Sequence, residues 1–217
     1  DLIISDELNH ASIVDGCRLS RAGVERYAHM DMSSLEAILK RSGPAGKRVV
    51  ITDGVFSVDG HIAPLPAIVD LAEKYDALVV VDDAHATGVL GPNGRGTAAH
   101  FSLDGRVDIQ TGTFSKAIGS VGGYVASSKP IIEYLKMRSR PILFSTSLPP
   151  ASIACAIAGI DILLRDNQLI MALWENREFL VRELQSSDFD IGETRTPIVP
   201  INIGDEVCAM EISRLLF

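Results

Sequence analysis

Two short stretches carry side chains whose types and spacing suit catalysis. In Val79-Val80-Val81-Asp82-Asp83-Ala84-His85, three β-branched residues lead into a carboxylate. Such a run reads as a central strand that delivers Asp82 to its carboxyl end, where open α/β sheets place their ligands. An aspartate there is costly to bury without a cation or a donor. Asp83 reads as solvent-facing or as a cap of the next turn, and His85 as a site group or a plain loop histidine. In Thr111-Gly112-Thr113-Phe114-Ser115-Lys116, followed by Gly119 and Gly122-Gly123, a polar strand end leads to a lone lysine among small residues. Confined, such a lysine loses its proton and attacks a carbonyl as an amine. The flanking hydroxyls and backbone amides suit a phosphate. Taken alone, this stretch reads first as a solvated surface lysine in a glycine-rich loop.

Together the two stretches narrow the chemistry. A carboxylate at one strand end and a lysine at the end of a neighbouring strand meet the needs of pyridoxal phosphate. That cofactor requires an amine for its imine and an acidic partner that keeps the pyridine nitrogen protonated, so that the ring is an electron sink. A metal is not expected, because His10, His29, His61 and His100 have no ligand spacing to the Asp-Asp-x-His cluster.

These groups need a scaffold, and the chain alternates short β-type runs with helical windows. Strands are expected over residues 2–4, 48–52, 77–81, 107–111 and 122–126. Helices are expected over 11–21, 33–41, 65–75 and 130–138, the second opened by Ser33 as N-cap with Glu36 closing a capping box. Gly43-Pro44-Ala45-Gly46 reads as a turn. Residues 149–185 are helical with a break at Asp166-Asn167, residues 196–203 read as an edge strand that tolerates Pro197 and Pro200, and 206–217 begin a helix. Strands apolar on both faces and separated by helices indicate an α/β fold with a mostly parallel sheet covered on both sides.

Composition sets the outer limits. The 217 residues include 20 Lys+Arg against 28 Asp+Glu, a formal charge of −8, and 47% are hydrophobic. The acidic balance argues against nucleic acid or an anionic membrane as a main partner. The longest apolar runs are too short to span a bilayer. Cys17, Cys155 and Cys208 are odd in number and widely separated, so neither a disulfide framework nor a zinc site is expected, and a cytoplasmic setting is. There is no secretory signal and no initiator Met, and the chain stops inside an apolar helical pattern, so both ends read as cut.

The stretches Ser5-Asp6-Glu7-Leu8-Asn9-His10-Ala11-Ser12-Ile13, Thr52-Asp53-Gly54-Val55-Phe56-Ser57-Val58-Asp59-Gly60, Asp82-Asp83-Ala84-His85-Ala86-Thr87-Gly88, Gly94-Arg95-Gly96, Thr113-Phe114-Ser115-Lys116 and Phe144-Ser145-Thr146-Ser147-Leu148-Pro149-Pro150 resemble the α-oxoamine synthases. These are fold-type I pyridoxal phosphate enzymes that condense an amino acid with an acyl-CoA and release CoA. The resemblance covers nearly the whole chain in family order. It implies a three-layer aminotransferase-like fold. Residues 1–165 would be the central part of the large cofactor-binding domain, whose N-terminal segment is missing. Residues 166–217 would be a linker helix and the truncated beginning of a smaller α+β C-terminal domain.

The resemblance also implies roles. Lys116 would hold the cofactor as an imine and later move protons at the substrate α-carbon. Asp82 would pair with the pyridine nitrogen, and His85 would hydrogen-bond the phenolic oxygen. His10 would stack on the exposed ring face and help orient the thioester. Ser57 would contact the phenolic edge or the substrate carboxylate, and Thr113 the phosphate. Ser145 and Thr146 would reach the phosphate of the partner subunit in a homodimer with shared sites. A glycine-rich phosphate turn and a carboxylate-gripping arginine are expected upstream and downstream. His61 departs from the acidic or amide residue expected there, and Ser120-Val121 from a more glycine-rich loop.

Within the family, the text from Arg138-Ser139-Arg140-Pro141 to Leu143-Phe144-Ser145 looks most like the glycine C-acetyltransferases (2-amino-3-ketobutyrate CoA ligases), which join glycine to acetyl-CoA. The 8-amino-7-oxononanoate synthases, which join alanine to a pimeloyl thioester, are the alternative, and a fold-type I aminotransferase is a more distant one. In each of the acyl transfers Lys116 acts as a base, which requires the depressed pKa that a dry, cation-bearing site provides.

Overall fold

The computed structural model describes residues 1–43 and 46–216, so the turn expected at 43–46 lies partly outside the described residues. Its centre is a six-stranded sheet: β1 (Leu2–Asp6), β2 (Gly23–Tyr27), β3 (Arg48–Asp53), β4 (Ala77–Asp82), β5 (Ile109–Thr113) and β6 (Gly123–Ser127). Across the sheet the order is β2-β1-β3-β4-β5-β6. The first five strands run parallel and β6 runs antiparallel to β5. Parallel neighbours need long crossovers, and α1 (Ala11–Leu19), α2 (Met32–Arg41) and α3 (Leu65–Lys74) supply the first three. The short α4 (Thr97–His100) lies in the connection from β4 to β5.

Apolar burial fixes the layers. Ile4, Val50, Val79 and Val81 of the sheet pack with Leu35, Ile38 and Leu39 of α2 and with Leu65, Ile68 and Val69 of α3 in one buried cluster. Each such side chain contributes about 1.5–3 kcal/mol on leaving water. From β1 the chain first moves outward to β2, then returns to place β3 on the other side. The boundary between β1 and β3 is therefore a topological switch point, where connections diverge and leave a crevice at the carboxyl ends.

Later elements are α5 (Lys129–Arg138), α6 (Arg140–Leu143), α7 (Pro150–Arg165), α8 (Gln168–Ser186) and α9 (Glu206–Leu216). The break between α7 and α8 falls at Asp166 and Asn167, where Asp166 Oδ1 accepts the Gln168 N–H at 3.1 Å. Trp174 on α8 donates its indole N–H to Val89 O at 3.0 Å and so ties this helix to the loop after β4. Among the described residues no helix is long and apolar enough to cross a membrane.

Two local expectations are corrected, and one strand is added. The N-cap of α2 is Asp31, not Ser33: its carboxylate accepts the N–H groups of Ser33 and Ser34 at 2.8 and 3.1 Å, and Ser33 already lies inside the first turn. Residues 196–203 form no strand. Pro197 and Pro200 offer no N–H to a ladder, and Thr196 spends its hydroxyl on Gly60 O at 3.0 Å instead. Strand β2 went unseen because it is an edge strand, Gly-Val-Glu-Arg-Tyr, with only Tyr27 fully buried.

Candidate active site

The loops that leave the carboxyl ends of β1, β3, β4 and β5 surround a cavity of about 260 Å³. Six of the expected site residues line it: His10, Ser57, Asp82, His85, Thr113 and Lys116. Ser145 and Thr146 do not. They lie exposed between α6 and α7, with the Ser145 hydroxyl turned back onto Pro141 O.

Asp82 ends β4, half-buried, and its Oδ1 accepts the Ala84 N–H at 2.9 Å. No described residue donates to its other oxygen. His85 follows in the same loop. Burial, then the charges of Lys116 and His10, lower its pKa, while Asp82 pulls the other way. The imidazole is therefore neutral near pH 7, with one N–H to donate and one nitrogen to accept.

His10 is the N-cap of α1, its Nδ1 2.8 Å from Ser12 Oγ. Asp53 holds that turn from below: its Oδ2 accepts the His10 N–H at 2.7 Å, and it too lines the cavity. Asp53 was not singled out from sequence, since an aspartate at the end of β3 shows its partner only when β1 and β3 are adjacent.

Lys116 follows β5. Its loop is closed by Phe114 N–H to Gly122 O at 2.9 Å and Ser120 N–H to Phe114 O at 2.8 Å. Thr113 Oγ1 lies 3.1 Å from Gly122 O and 2.7 Å from Ser115 Oγ, so this hydroxyl secures the lysine loop. Ser120 ties the loop to the start of α7 by donating to Ser152 O at 2.9 Å. Lys116 itself is exposed, and the dry enclosure expected around its amine is not made by the described residues.

Asp83 corrects both of its sequence readings, for it neither faces solvent nor caps the following turn. It is 1% exposed and reaches Thr97, the first residue of α4. A Cβ on Gly54 would stand 2.2 Å from Asp83 Oδ1, and one on Gly96 2.2 Å from its Oδ2. Both glycines exist to admit this carboxylate, and Gly96 also holds a φ of +95° that L residues rarely adopt.

A cavity with one amine, two carboxylates and two imidazoles has the groups that a pyridoxal ring requires at its aldehyde, ring nitrogen and phenolic oxygen, and Asp82 Oδ2 is free of donors among the described residues. Comparison with known proteins points the same way. Residues 1–217 match the family profile described as aminotransferase class I and II. The chain is 58% identical over 218 residues to 8-amino-7-oxononanoate synthase of Thermoanaerobacter pseudethanolicus, covering 100% of this chain and 55% of that protein. It is 56% identical to 8-amino-7-oxononanoate synthase 1 of Bacillus subtilis, covering 98% of this chain and 54% of that one. The structure superimposes on serine palmitoyltransferase from S. paucimobilis, solved with a bound adduct of pyridoxal phosphate and myriocin. There the TM-score is 0.93 and the identity 37%, over 96% of this chain and 55% of that one. For 8-amino-7-oxononanoate synthase from Francisella tularensis the TM-score is 0.86 and the identity 32%, over 100% of this chain and 63% of that one. The chain spans a little over half the length of the curated relatives it matches.

Proposed function

The chain belongs to the aminotransferase class I and II family, and on that footing we propose that the protein is a pyridoxal phosphate-dependent acyltransferase of the α-oxoamine synthase type, joining alanine to a pimeloyl thioester as 8-amino-7-oxononanoate synthases do. The observation that carries the reading is the convergence of Lys116, Asp82, His85 and His10 on one cavity. Relatives at 54–58% identity along the chain support the choice of substrates over glycine and acetyl-CoA. The stretch that suggested the glycine enzyme, residues 138–145, lies on α5, α6 and the loop after them and does not line the cavity.

Bound in this cavity, pyridoxal phosphate supplies an electron sink for negative charge at the substrate α-carbon. Lys116 would provide the amine that holds the cofactor's aldehyde, and its Nζ would take the substrate's α-proton. Asp82 keeps a proton on the ring nitrogen by opposite charge. His85 donates its N–H to the phenolic oxygen. His10, at the start of α1, covers the ring face and orients the thioester carbonyl. Ser57, exposed in the turn after β3, meets the phenolic edge or the substrate carboxylate. Thr113 sets the lysine loop at the phosphate end. Ser145 and Thr146, exposed on their loop, reach the partner subunit's phosphate in a homodimer. The free thiols of Cys17, Cys155 and Cys208 support a reducing, cytoplasmic setting.

Incubating the full-length protein with alanine or glycine and a panel of acyl thioesters, and measuring free thiol, tests the reading. Thiol release is expected to be fastest with alanine and the pimeloyl thioester. Faster release with glycine and acetyl-CoA overturns the substrate choice. No release with any pair overturns the acyltransferase itself, and amino transfer to a keto acid without a thioester replaces it by an aminotransferase.

A further inference from the structure

The reaction leaves one cavity-lining carboxylate without a role. Asp53 ends β3 directly beside Asp82 at the end of β4, the two paired in register across the parallel ladder. Asp53 is 5% exposed. Besides the bond from its Oδ2 to the His10 N–H at 2.7 Å, its own N–H donates to Asn9 Oδ1 at 2.7 Å. Asn9 Nδ2 in turn donates to Ser5 Oγ and Ile51 O, both at 2.9 Å. The turn that carries His10 is thus fastened to β3 at two consecutive residues. No described residue donates to Asp53 Oδ1.

We propose that Asp53 is a positioning residue of the cofactor site: it fixes the His10 ring over the cavity through the His10 N–H, and as a second acid beside Asp82 it extends the pH range over which the cofactor's ring nitrogen keeps its proton. The proposal rests on the cofactor reading above. Its first half follows from the bond: without an acceptor at Asp53, the His10 N–H at the entry to α1 loses its partner and the ring its fixed starting point. Its second half follows from charge. Burial pushes Asp53 up to about 6; the His10 N–H bond opposes this, Asp82 adds to it, His10 opposes it and Asp6 adds to it. The charged or titratable groups around it are Asp82 on β4, Asp6 on β1 and His10 on α1, with His85 and Lys116 lining the same cavity. Below about pH 6 Asp53 is protonated and adds no charge beside Asp82. Above it, the second negative charge makes loss of the ring proton harder.

The test uses the full-length protein as wild type, Asp53→Asn, Asp53→Ala, His10→Ala and the Asp53→Ala/His10→Ala double variant. Pyridoxal phosphate affinity, visible circular dichroism and the pH titration of visible absorbance are measured, with far-ultraviolet circular dichroism to verify folding. Asp53→Ala is expected to weaken cofactor binding about tenfold and to add nothing to the loss from His10→Ala. Asp53→Asn keeps an acceptor for the His10 N–H, so its affinity stays close to wild type while its absorbance titration moves down by at least about half a pH unit. Additive losses in the double variant overturn the positioning role, and an Asp53→Asn titration superimposable on wild type overturns the electrostatic one. Should Asp53→Ala not fold, the Asp53→Asn titration and dichroism decide. A wild-type protein that takes up no colour overturns the cofactor reading instead.

Discussion

Asp83 and Thr97 are joined at both carboxylate oxygens: Oδ1 accepts the Thr97 hydroxyl at 2.6 Å and Oδ2 the Thr97 N–H at 3.0 Å. The pair locks the loop after β4 against the start of α4. Asp82 and His85 flank Asp83 in that loop, so their placement in the cavity depends on a bond that neither of them makes.

Replacing Asp83 therefore tests stability against pH. Burial pushes this carboxyl up to about 6, against the pull of its Thr97 bonds. A raised carboxyl means that the folded chain binds more protons than the unfolded one between about pH 4 and 6. Through this group, stability falls as pH rises across that window and then levels off, by about 3 kcal/mol at most. Asp83→Asn can still pair with Thr97, its amide oxygen accepting the N–H and its NH₂ donating to the hydroxyl. Urea unfolding at pH 4.5 and 7 should show a smaller loss between the two pH values than in wild type. An unchanged difference contradicts the buried, proton-binding state of Asp83.

Gly96→Ala should destabilise the fold by at least about 2 kcal/mol. The new methyl meets the Asp83 carboxylate, which cannot withdraw while Thr97 holds it, and the backbone stays at a positive φ. Urea midpoints compared with wild type give the answer. Glycine-like stability in the alanine variant would mean that the close approach is not rigid.

Lys116→Ala removes the amine from the cavity. Borohydride treatment of wild type with pyridoxal phosphate should fix a label on the peptide carrying Lys116, and the variant should take none. Thiol release should drop by at least about 10³-fold. Equal labelling of the variant would assign the colour to another lysine.

The cap of α2 can be decided by paired substitutions. Asp31→Ala strips both N–H acceptors from the first turn and should lower the melting temperature by about 2–4 °C. Ser33→Ala, one turn position inside, should change it far less. The reverse ranking would restore the serine as the cap.

What could be read in the sequence followed from burial and chemistry acting locally. Strands β3 and β4 announce themselves because Val49-Val50-Ile51 and Val79-Val80-Val81 are continuous apolar runs, of which Val50, Val79 and Val81 are buried in the core. Lys116 and Asp82 stand out because few residue types can do the work proposed for them and each sits at a strand end. The edge strand β2 gave no such signal, since most of it is exposed. The bonds from Asp53 to His10 and from Asp83 to Thr97 join residues distant in sequence, and only the strand order brings the first pair together. The stretch that suggested glycine as the substrate does not line the cavity, and the relatives that support alanine are found by likeness along the whole chain.

From β1 across to β5, position in the sheet follows position in the chain: His10 leaves β1, Asp53 ends β3, Asp82 ends β4 and Lys116 follows β5. A ribosome delivers chain at about 5–20 residues per second, so Lys116 emerges roughly 5–20 s after His10. His10, Asp53, Asp82 and His85 are all synthesised before the amine. Of these side chains a nascent chain gains the lysine amine last, after the strands that carry the others have been made.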